Sequence, residues 1–176
     1  AANTLAAARA GASFVDTTVF GLGERAGNAA LEEVVMALWK IYGISTAIDL
    51  KGLPKIARLV SKAAHRAIPE GKPIIGKACF LHESGIHQDG ILKYPPTYEP
   101  FDPVLIGSKS RLVIGKHSGR AAVKRLLNNL GEDADKMTLF RVLQAAKERS
   151  AILKRSLLDN EVHVLYRQLI LETKAL

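Results

Sequence analysis

The strongest constraint on the fold is a short run of β-branched and aromatic residues that leads into a glycine-rich segment. The run, ASFVDTTVF at residues 12–20, favours a buried strand. The glycine-rich segment GLGERAGN follows at residues 21–28, and an amphipathic helix is then predicted up to Gly43. An alanine-rich stretch at residues 1–10 predicts a helix ahead of the run. The order helix, strand, loop, helix is typical of the last repeat of an α/β layered or barrel fold.

The rest of the chain changes to a mostly helical pattern. Residues 55–68 carry apolar side chains at helical spacing and predict a strongly amphipathic helix. Residues 74–116 are rich in Gly and Pro and predict short strands and loops, with RLVIG at residues 111–115 as the best strand. Three helices are predicted after that, and their apolar faces are Val123/Leu126/Leu127/Leu130, Leu139/Val142/Leu143/Ala146 and Val162/Leu165/Tyr166/Leu169.

Composition and charge narrow the classes of function. The 176 residues carry a formal charge of +8, but the basic residues are scattered and only 6% of residues are aromatic. We therefore expect no nucleic-acid partner, and favour a solvated basic surface or attraction for anionic small molecules such as coenzyme A. No run of about 18 apolar residues occurs, so we expect no membrane partner. The single Cys79 indicates a reducing, cytoplasmic location.

The segment HESGIHQDG is the densest group of acid, base and hydroxyl side chains. Its candidate residues are His82, Glu83, His87 and Asp89. The spacing of the two histidines does not match the zinc motif H-E-x-x-H, and Gly85 and Gly90 argue against a continuous helix. General acid/base chemistry by a histidine is the better functional interpretation. The alternative is a loop whose histidines only cap or bond the backbone.

Two glycine-containing segments are further candidates. Glu24, Arg25 and Asn28 lie at the carboxyl end of the predicted strand, which is the active-site face in an α/β barrel. Asn28 is equally a candidate helix N-cap, and Glu24 with Arg25 a surface ion pair. GKHSG at residues 115–119 follows a strand and opens a helix, whose N-terminus can hold an anion. Its polar residues are equally candidates for local caps.

Two long segments resemble one enzyme family, the acetyl-CoA-dependent aldol-type condensing enzymes that include isopropylmalate, citramalate and homocitrate synthases. The segments are TTVFGLGERAGNAALEEVVMAL and FLHESGIHQDGILKYPPTYEPFDPVLIGSKSRLVIGKHSG. YEPFDP and RLVIGKHSG are most similar to the homocitrate synthases of nitrogen fixation. The resemblance implies an α/β fold class: the C-terminal end of a (β/α)₈ TIM barrel followed by small, mostly helical subdomains. It divides the chain into the last barrel elements at residues 1–43, linker helices at 44–75, a subdomain with HESGIHQDG at 76–110 and a helical subdomain at 111–176.

The resemblance implies condensation of acetyl-CoA with 2-oxoglutarate to homocitrate and CoA, with thioester hydrolysis. Alternatives are an isopropylmalate or citramalate synthase-type enzyme, or a non-catalytic assembly subunit of a split synthase. It also implies a divalent metal in the complete enzyme, Mg²⁺ or Mn²⁺ by its oxygen ligands, with Zn²⁺ as an alternative. The implied partner is a second copy of the chain or a chain carrying the N-terminal barrel, because in the family the subdomains reach across a dimer.

The resemblance also assigns individual residues. His87 matches the second His of H-x-x-G-I-H, the candidate general acid/base, and Tyr98 matches the Tyr of T-Y-E that works with it. Glu24 matches the acid of GER-x-GN beside the reacting centre, and Asn28 matches its Asn at or near the metal. The family's other metal ligands belong before Ala1. We therefore expect this chain to be a C-terminal fragment or subunit that is inactive alone.

Overall fold

The structure, a computed structural model, describes residues 1–174 and divides the chain into two compact units. The first unit contains residues 1–80 and 101–109, and the second contains residues 81–100 and the chain from residue 110 onward. None of the described helices is long and apolar enough to cross a lipid bilayer.

The α-helices described in the first unit are α1 (Ala2–Arg9), α2 (Leu31–Tyr42) and α3 (Leu53–Ala63), and the rest of the unit is turns, short 3₁₀ segments and irregular chain. Helix α2 is amphipathic, has two glutamates in its first turn and ends at Gly43 in the left-handed conformation, as its sequence predicts. The core of this unit is a cluster of apolar side chains in which the Phe80 and Phe101 rings meet edge to face, 5.7 Å apart. Its buried members are Met36, Leu53, Phe80 and Ile106.

The strand predicted over residues 12–20 is wrong. This segment is irregular, Phe14 is 94% exposed, and a single parallel bridge joins Thr18 to Ala30. β-Branched residues favour an extended backbone, but a buried strand also needs neighbours that pair with its N–H and C=O groups. Within the described residues only the one bridge supplies such pairing.

Two helix boundaries also differ from the sequence expectation. Ala30, not Asn28, occupies the N-cap position of α2. The helix predicted over residues 55–68 already ends at Ala63, and His65 then has a left-handed φ of 51°. Amphipathic spacing shows which residues share a face, but the end of a helix is decided by local backbone bonds that the spacing does not contain.

The second unit combines a minimal parallel sheet with four helices. Strands β1 (Leu81–His82) and β2 (Arg111–Leu112) pair with Leu81 opposite Arg111, so the predicted strand RLVIG is confirmed only in its first two residues. The helices are α4 (Gly85–Lys93), α5 (Arg120–Asn129), α6 (Lys136–Leu153) and α7 (Asp159–Lys174).

The three C-terminal helices are confirmed, and their predicted apolar faces supply most of the second core. Gly131 breaks the chain after α5 with a φ of 74°. The buried side chains of this core are Ile114, Val123, Leu126, Leu127, Leu139, Val142, Leu143, Ala146, Leu157, Val162 and Tyr166. Helical periodicity therefore identified most of each packing face, but it is wrong for Leu130, which follows the last residue of α5 and is 43% exposed.

The start of α7 is fixed by one carboxylate. Arg155 donates from both Nη atoms to Glu161, at 2.8 and 2.7 Å, and the Leu158 backbone N–H donates to Glu161 Oε2 at 2.8 Å. The latter bond is the reciprocal half of a capping box. The hydrogen bonds from Arg155 are the largest cause that lowers the pKa of Glu161 from 4.5 to about 2, and the Leu158 N–H adds to it.

Because the pKa of Glu161 is depressed on folding, its stabilisation is present above about pH 4.5 and is lost as the pH falls toward 2. We expect Glu161→Gln to lower the unfolding temperature by about 2–4 °C at pH 7 and to have little effect near pH 2. Thermal unfolding followed by circular dichroism measures this. Glu148→Gln, on the exposed face of α6, is the matched control. A deficit that stays constant with pH contradicts the assignment.

Candidate functional site

The rings of His87 and Tyr98 lie against each other in the second unit. Their centroids are 4.2 Å apart and their planes are inclined by 35°. His87 is carried by α4, and Tyr98 follows a short 3₁₀ turn at Pro95–Thr97. Both side chains are exposed, so both are open to a ligand. An imidazole beside a phenol can move a proton near neutral pH and donate a hydrogen bond to a developing oxyanion.

Gly90 provides the space for this ring contact. A Cβ built at Gly90 would be 2.6 Å from Tyr98 Cε2 and 3.1 Å from Cδ2. Gly90 is three residues after His87 in the same helix, so the two share a face and the Tyr98 ring packs over both. The expectation that the two glycines argue against a continuous helix through both histidines is confirmed at Gly85, where α4 begins after the strand that carries His82, and is wrong at Gly90, which lies inside α4. Gly90 costs some helix stability but allows the close approach of an aromatic ring.

A buried hydrogen bond fixes the residue that follows Tyr98. His82 on β1 is 7% exposed and Glu99 is 5% exposed, and His82 Nε2 lies 3.0 Å from Glu99 Oε1. Ser110 Oγ donates to the same carboxylate oxygen. Because Glu99 is locked inside the unit, the backbone that carries Tyr98 is held in place from within.

Gln88, the residue that follows His87, is held by the hydrogen bonds of its own buried side chain. Gln88 is 3% exposed, and its Nε2 donates to His82 O at 2.7 Å and to Val113 O at 2.9 Å. His82 thus bonds Glu99 through its side chain and Gln88 through its carbonyl. Neither Glu99 nor Gln88 is predicted from the sequence, and the signal for Glu99 is the Glu of the T-Y-E segment.

The segment GKHSG is closed by a carboxylate of the chain itself. Glu83 Oε1 accepts from the His117 backbone N–H at 3.0 Å, and Glu83 Oε2 accepts from Ser156 Oγ at 2.7 Å. Ser118 Oγ accepts from the Gly115 N–H at 3.0 Å and donates to Glu83 O at 2.9 Å. Ser118 and the His117 backbone are therefore bonded within the unit, and neither residue caps α5, whose N-cap position is Gly119 with no side-chain cap bond.

In the first unit, GLGERAGN folds back on itself around Asn28. The Asn28 N–H donates to Gly21 O, and its side-chain Nδ2 donates to Leu22 O, both at 3.0 Å. A Cβ at Gly23 would be 2.4 Å from Asn28 Nδ2, so only glycine leaves room for the amide. The bond through Nδ2 orients the amide and leaves Oδ1 as its acceptor atom. Glu24 is exposed on the same turn.

The turn before this loop is secured by a buried glutamate. Glu32 is 2% exposed, and its Oε2 accepts from the Phe20 N–H at 3.0 Å. Lys72 Nζ lies 3.6 Å from the other oxygen and also pairs with Glu33. Phe20 has a left-handed φ of 44°, and its bond to a buried carboxylate stabilises that conformation.

Asn28, the predicted metal ligand, presents one oxygen acceptor atom. Asn28 Oδ1 is a hard oxygen that suits Mg²⁺ or Mn²⁺. Among residues 1–174, no three His, Cys, Asp or Glu side chains come together in an arrangement that holds a metal. Of the four predicted site residues, His87 and Tyr98 meet in the second unit, and Glu24 and Asn28 share one turn of the first.

Comparison with known families gives two matches along the chain. Residues 1–60 match the family model described as HMGL-like, and residues 74–154 match the one described as homocitrate synthase post-HMGL domain-like. The two matches together include all four predicted site residues.

The chain is also similar to individual homocitrate and isopropylmalate synthases. The chain is 50% identical over 161 residues to homocitrate synthase 1 of Nostoc sp., covering 92% of the chain and 43% of that protein. It is 55% identical over 130 residues to a homocitrate synthase of Frankia alni, covering 74% and 37%. It is 47% identical over 174 residues to 2-isopropylmalate synthase 2 of Caldanaerobacter subterraneus, covering 99% and 45%. The chain spans less than half the length of these relatives.

Two glycines of the same helix test how the ring contact is built. The methyl group added by Gly90→Ala would clash with the edge of the Tyr98 ring. We therefore expect loss of the His87–Tyr98 contact and a decrease of about 1–3 kcal/mol in the free energy of unfolding. Gly85→Ala is the matched control, because its Cβ meets nothing closer than 3.6 Å. Nuclear Overhauser effects between the two rings, with thermal unfolding, measure both changes. An intact ring contact in Gly90→Ala contradicts the packing described here.

Proposed function

The chain belongs to the homocitrate and isopropylmalate synthase family, and we propose that the complete enzyme condenses acetyl-CoA with 2-oxoglutarate to homocitrate and CoA. The observation that carries this proposal is the exposed His87–Tyr98 ring pair, held from inside the second unit. Identities of 50% and 55% to two homocitrate synthases favour homocitrate as the product. The HMGL-like match over residues 1–60 supports the proposal that this part completes a (β/α)₈ barrel.

The reaction sets two demands on the site. The acetyl methyl group must lose a proton, and the resulting enolate forms a carbon–carbon bond to the ketone carbon of the 2-oxo acid. The ketone oxygen gains a proton, and water then cleaves the thioester to release CoA. The methyl proton is weakly acidic, so base placement and stabilisation of oxygen charge are both needed.

His87 and Tyr98 suit these demands. His87 supplies the imidazole, the type of side chain best suited to exchange a proton with the reacting atoms. The Tyr98 hydroxyl, carried by the ring that packs on His87, donates a hydrogen bond to an oxygen that develops negative charge. We assign the two residues to the active site of a dimer partner, because in the family they act across the subunit interface.

We assign Glu24 and Asn28 to the part of the active site that binds and activates the 2-oxo acid. A divalent metal, when bound in the complete enzyme, would supply a Lewis acid for the ketone carbonyl. Asn28 Oδ1 is oriented by the bond from Nδ2 to Leu22 O and would provide one ligand. Glu24 is an exposed carboxylate on the same turn.

A different 2-oxo acid is the second candidate. The 47% identity to a 2-isopropylmalate synthase covers 99% of the chain, which favours this alternative. The same condensation gives isopropylmalate from 2-oxoisovalerate and citramalate from pyruvate. Assays of the complete enzyme with acetyl-CoA and each of the three 2-oxo acids, followed by CoA thiol release and product chromatography, decide between them. No turnover with any of the three refutes the synthase proposal.

Replacement of His87 tests the acid/base role. In the complete enzyme we expect His87→Asn to lower kcat by about 10²- to 10⁴-fold, with KM for acetyl-CoA and the 2-oxo acid changed by less than about threefold, since binding is not its role. His65→Asn is the matched control, because His65 is exposed in the first unit and has no assigned role. Unchanged kcat in His87→Asn rules out proton transfer by this residue.

A further inference from the structure

We propose that His82 and Glu99 are positioning residues, which set the mutual placement of His87 and Tyr98 for the condensation. The inference rests on the proposed function, because the effect of this placement is measured as kcat of the proposed condensation. Neither residue touches substrate, since their exposures are 7% and 5%. Glu99 acts on Tyr98, its neighbour in the chain, and His82 acts through its hydrogen bonds to Glu99 and to Gln88, the residue after His87.

The hydrogen bond between them is well defined. His82 Nε2 and Glu99 Oε1 are 3.0 Å apart, within hydrogen-bond distance. Ser110 Oγ donates to the same Oε1. A buried carboxylate that lost these donors would remain desolvated and unpaired, which is strongly unfavourable. Glu99 is therefore confined to one position.

Because Glu99 is held in one position, the backbone of the preceding residue, Tyr98, is restrained as well. Neighbouring Cα atoms are about 3.8 Å apart, so Tyr98 can move little while Glu99 is held. The His82 carbonyl accepts from Gln88, the neighbour of His87, at 2.7 Å. His82 is thus bonded to the residue after each member of the ring pair.

Stability alone is a poor reason for this pair. Buried polar pairs are costly to desolvate, and replacement of even a buried ion pair by apolar residues of similar volume is often neutral or stabilising. Neither His82 nor Glu99 belongs to either apolar core cluster of the described chain. Hydrogen bonds are directional, whereas apolar packing permits sliding, so a polar pair is better suited to place a ring against another.

The first test compares two substitutions of Glu99 in the complete enzyme. We expect Glu99→Ala to lower kcat by about 10- to 100-fold and to leave both KM values within about threefold. Glu99→Gln should keep kcat within about threefold, because the amide oxygen still accepts from His82 Nε2. Ser150→Ala is the control for a buried hydrogen bond lost elsewhere in the unit, since Ser150 Oγ donates to Arg155 O at 2.7 Å. Full kcat in Glu99→Ala overturns the inference.

The second test asks whether Glu99 acts through Tyr98. In a Tyr98→Phe background, Glu99→Ala should cost much less of kcat than in the wild type, because the hydroxyl it positions is gone. An equal loss in both backgrounds overturns the inference.

Ring-to-ring nuclear Overhauser effects give a readout that does not need activity. The His87–Tyr98 contact should be lost in Glu99→Ala and kept in Glu99→Gln. If the wild-type enzyme turns over none of the 2-oxo acids, the proposed function fails, and this ring contact still decides the positioning claim. A contact that persists in Glu99→Ala overturns it.

Discussion

The arrangement of the exposed His87–Tyr98 pair depends on the buried bond between His82 and Glu99. An aromatic contact alone has a broad energy minimum, so two exposed rings would slide over each other. A carboxylate held at 3.0 Å by a buried imidazole removes that freedom at the adjoining residue. The precision of the surface pair is therefore supplied by polar groups beneath it.

In the first unit, too, a buried acidic side chain holds a segment that carries candidate site residues. Glu32, 2% exposed, accepts from the Phe20 N–H, and the turn that starts there leads to Asn28. Asn28 is then oriented by its own bond to Leu22 O. In both units a buried acidic side chain bonds a nearby part of the structure, and that bond fixes a short segment whose exposed side chains carry the candidate chemistry.

Local signals explain which parts of the fold the sequence predicts. The helices α2, α5, α6 and α7 are confirmed because their apolar spacing lies within each segment. The strand at residues 12–20 failed because a strand depends on partners elsewhere in the chain. Helix α4 was not predicted because a glycine such as Gly90 disfavours a helix. Its role, which is to leave space for the Tyr98 ring, depends on a contact that the local sequence does not contain. Family resemblance named His87 and Tyr98, but the burial of Glu99 and Gln88 has no local signature.

Exposure of the ring pair also bears on how the proposed reaction takes place. An imidazole and a phenol in open water gain little from their placement, because water screens charge and competes for every hydrogen bond. Proton transfer from acetyl-CoA needs a site from which water is excluded. A second protein surface that carries the bound substrates and covers His87 and Tyr98 meets this need. The proposed action of the pair on the active site of a dimer partner therefore accounts for two catalytic candidates that lie exposed on their own unit.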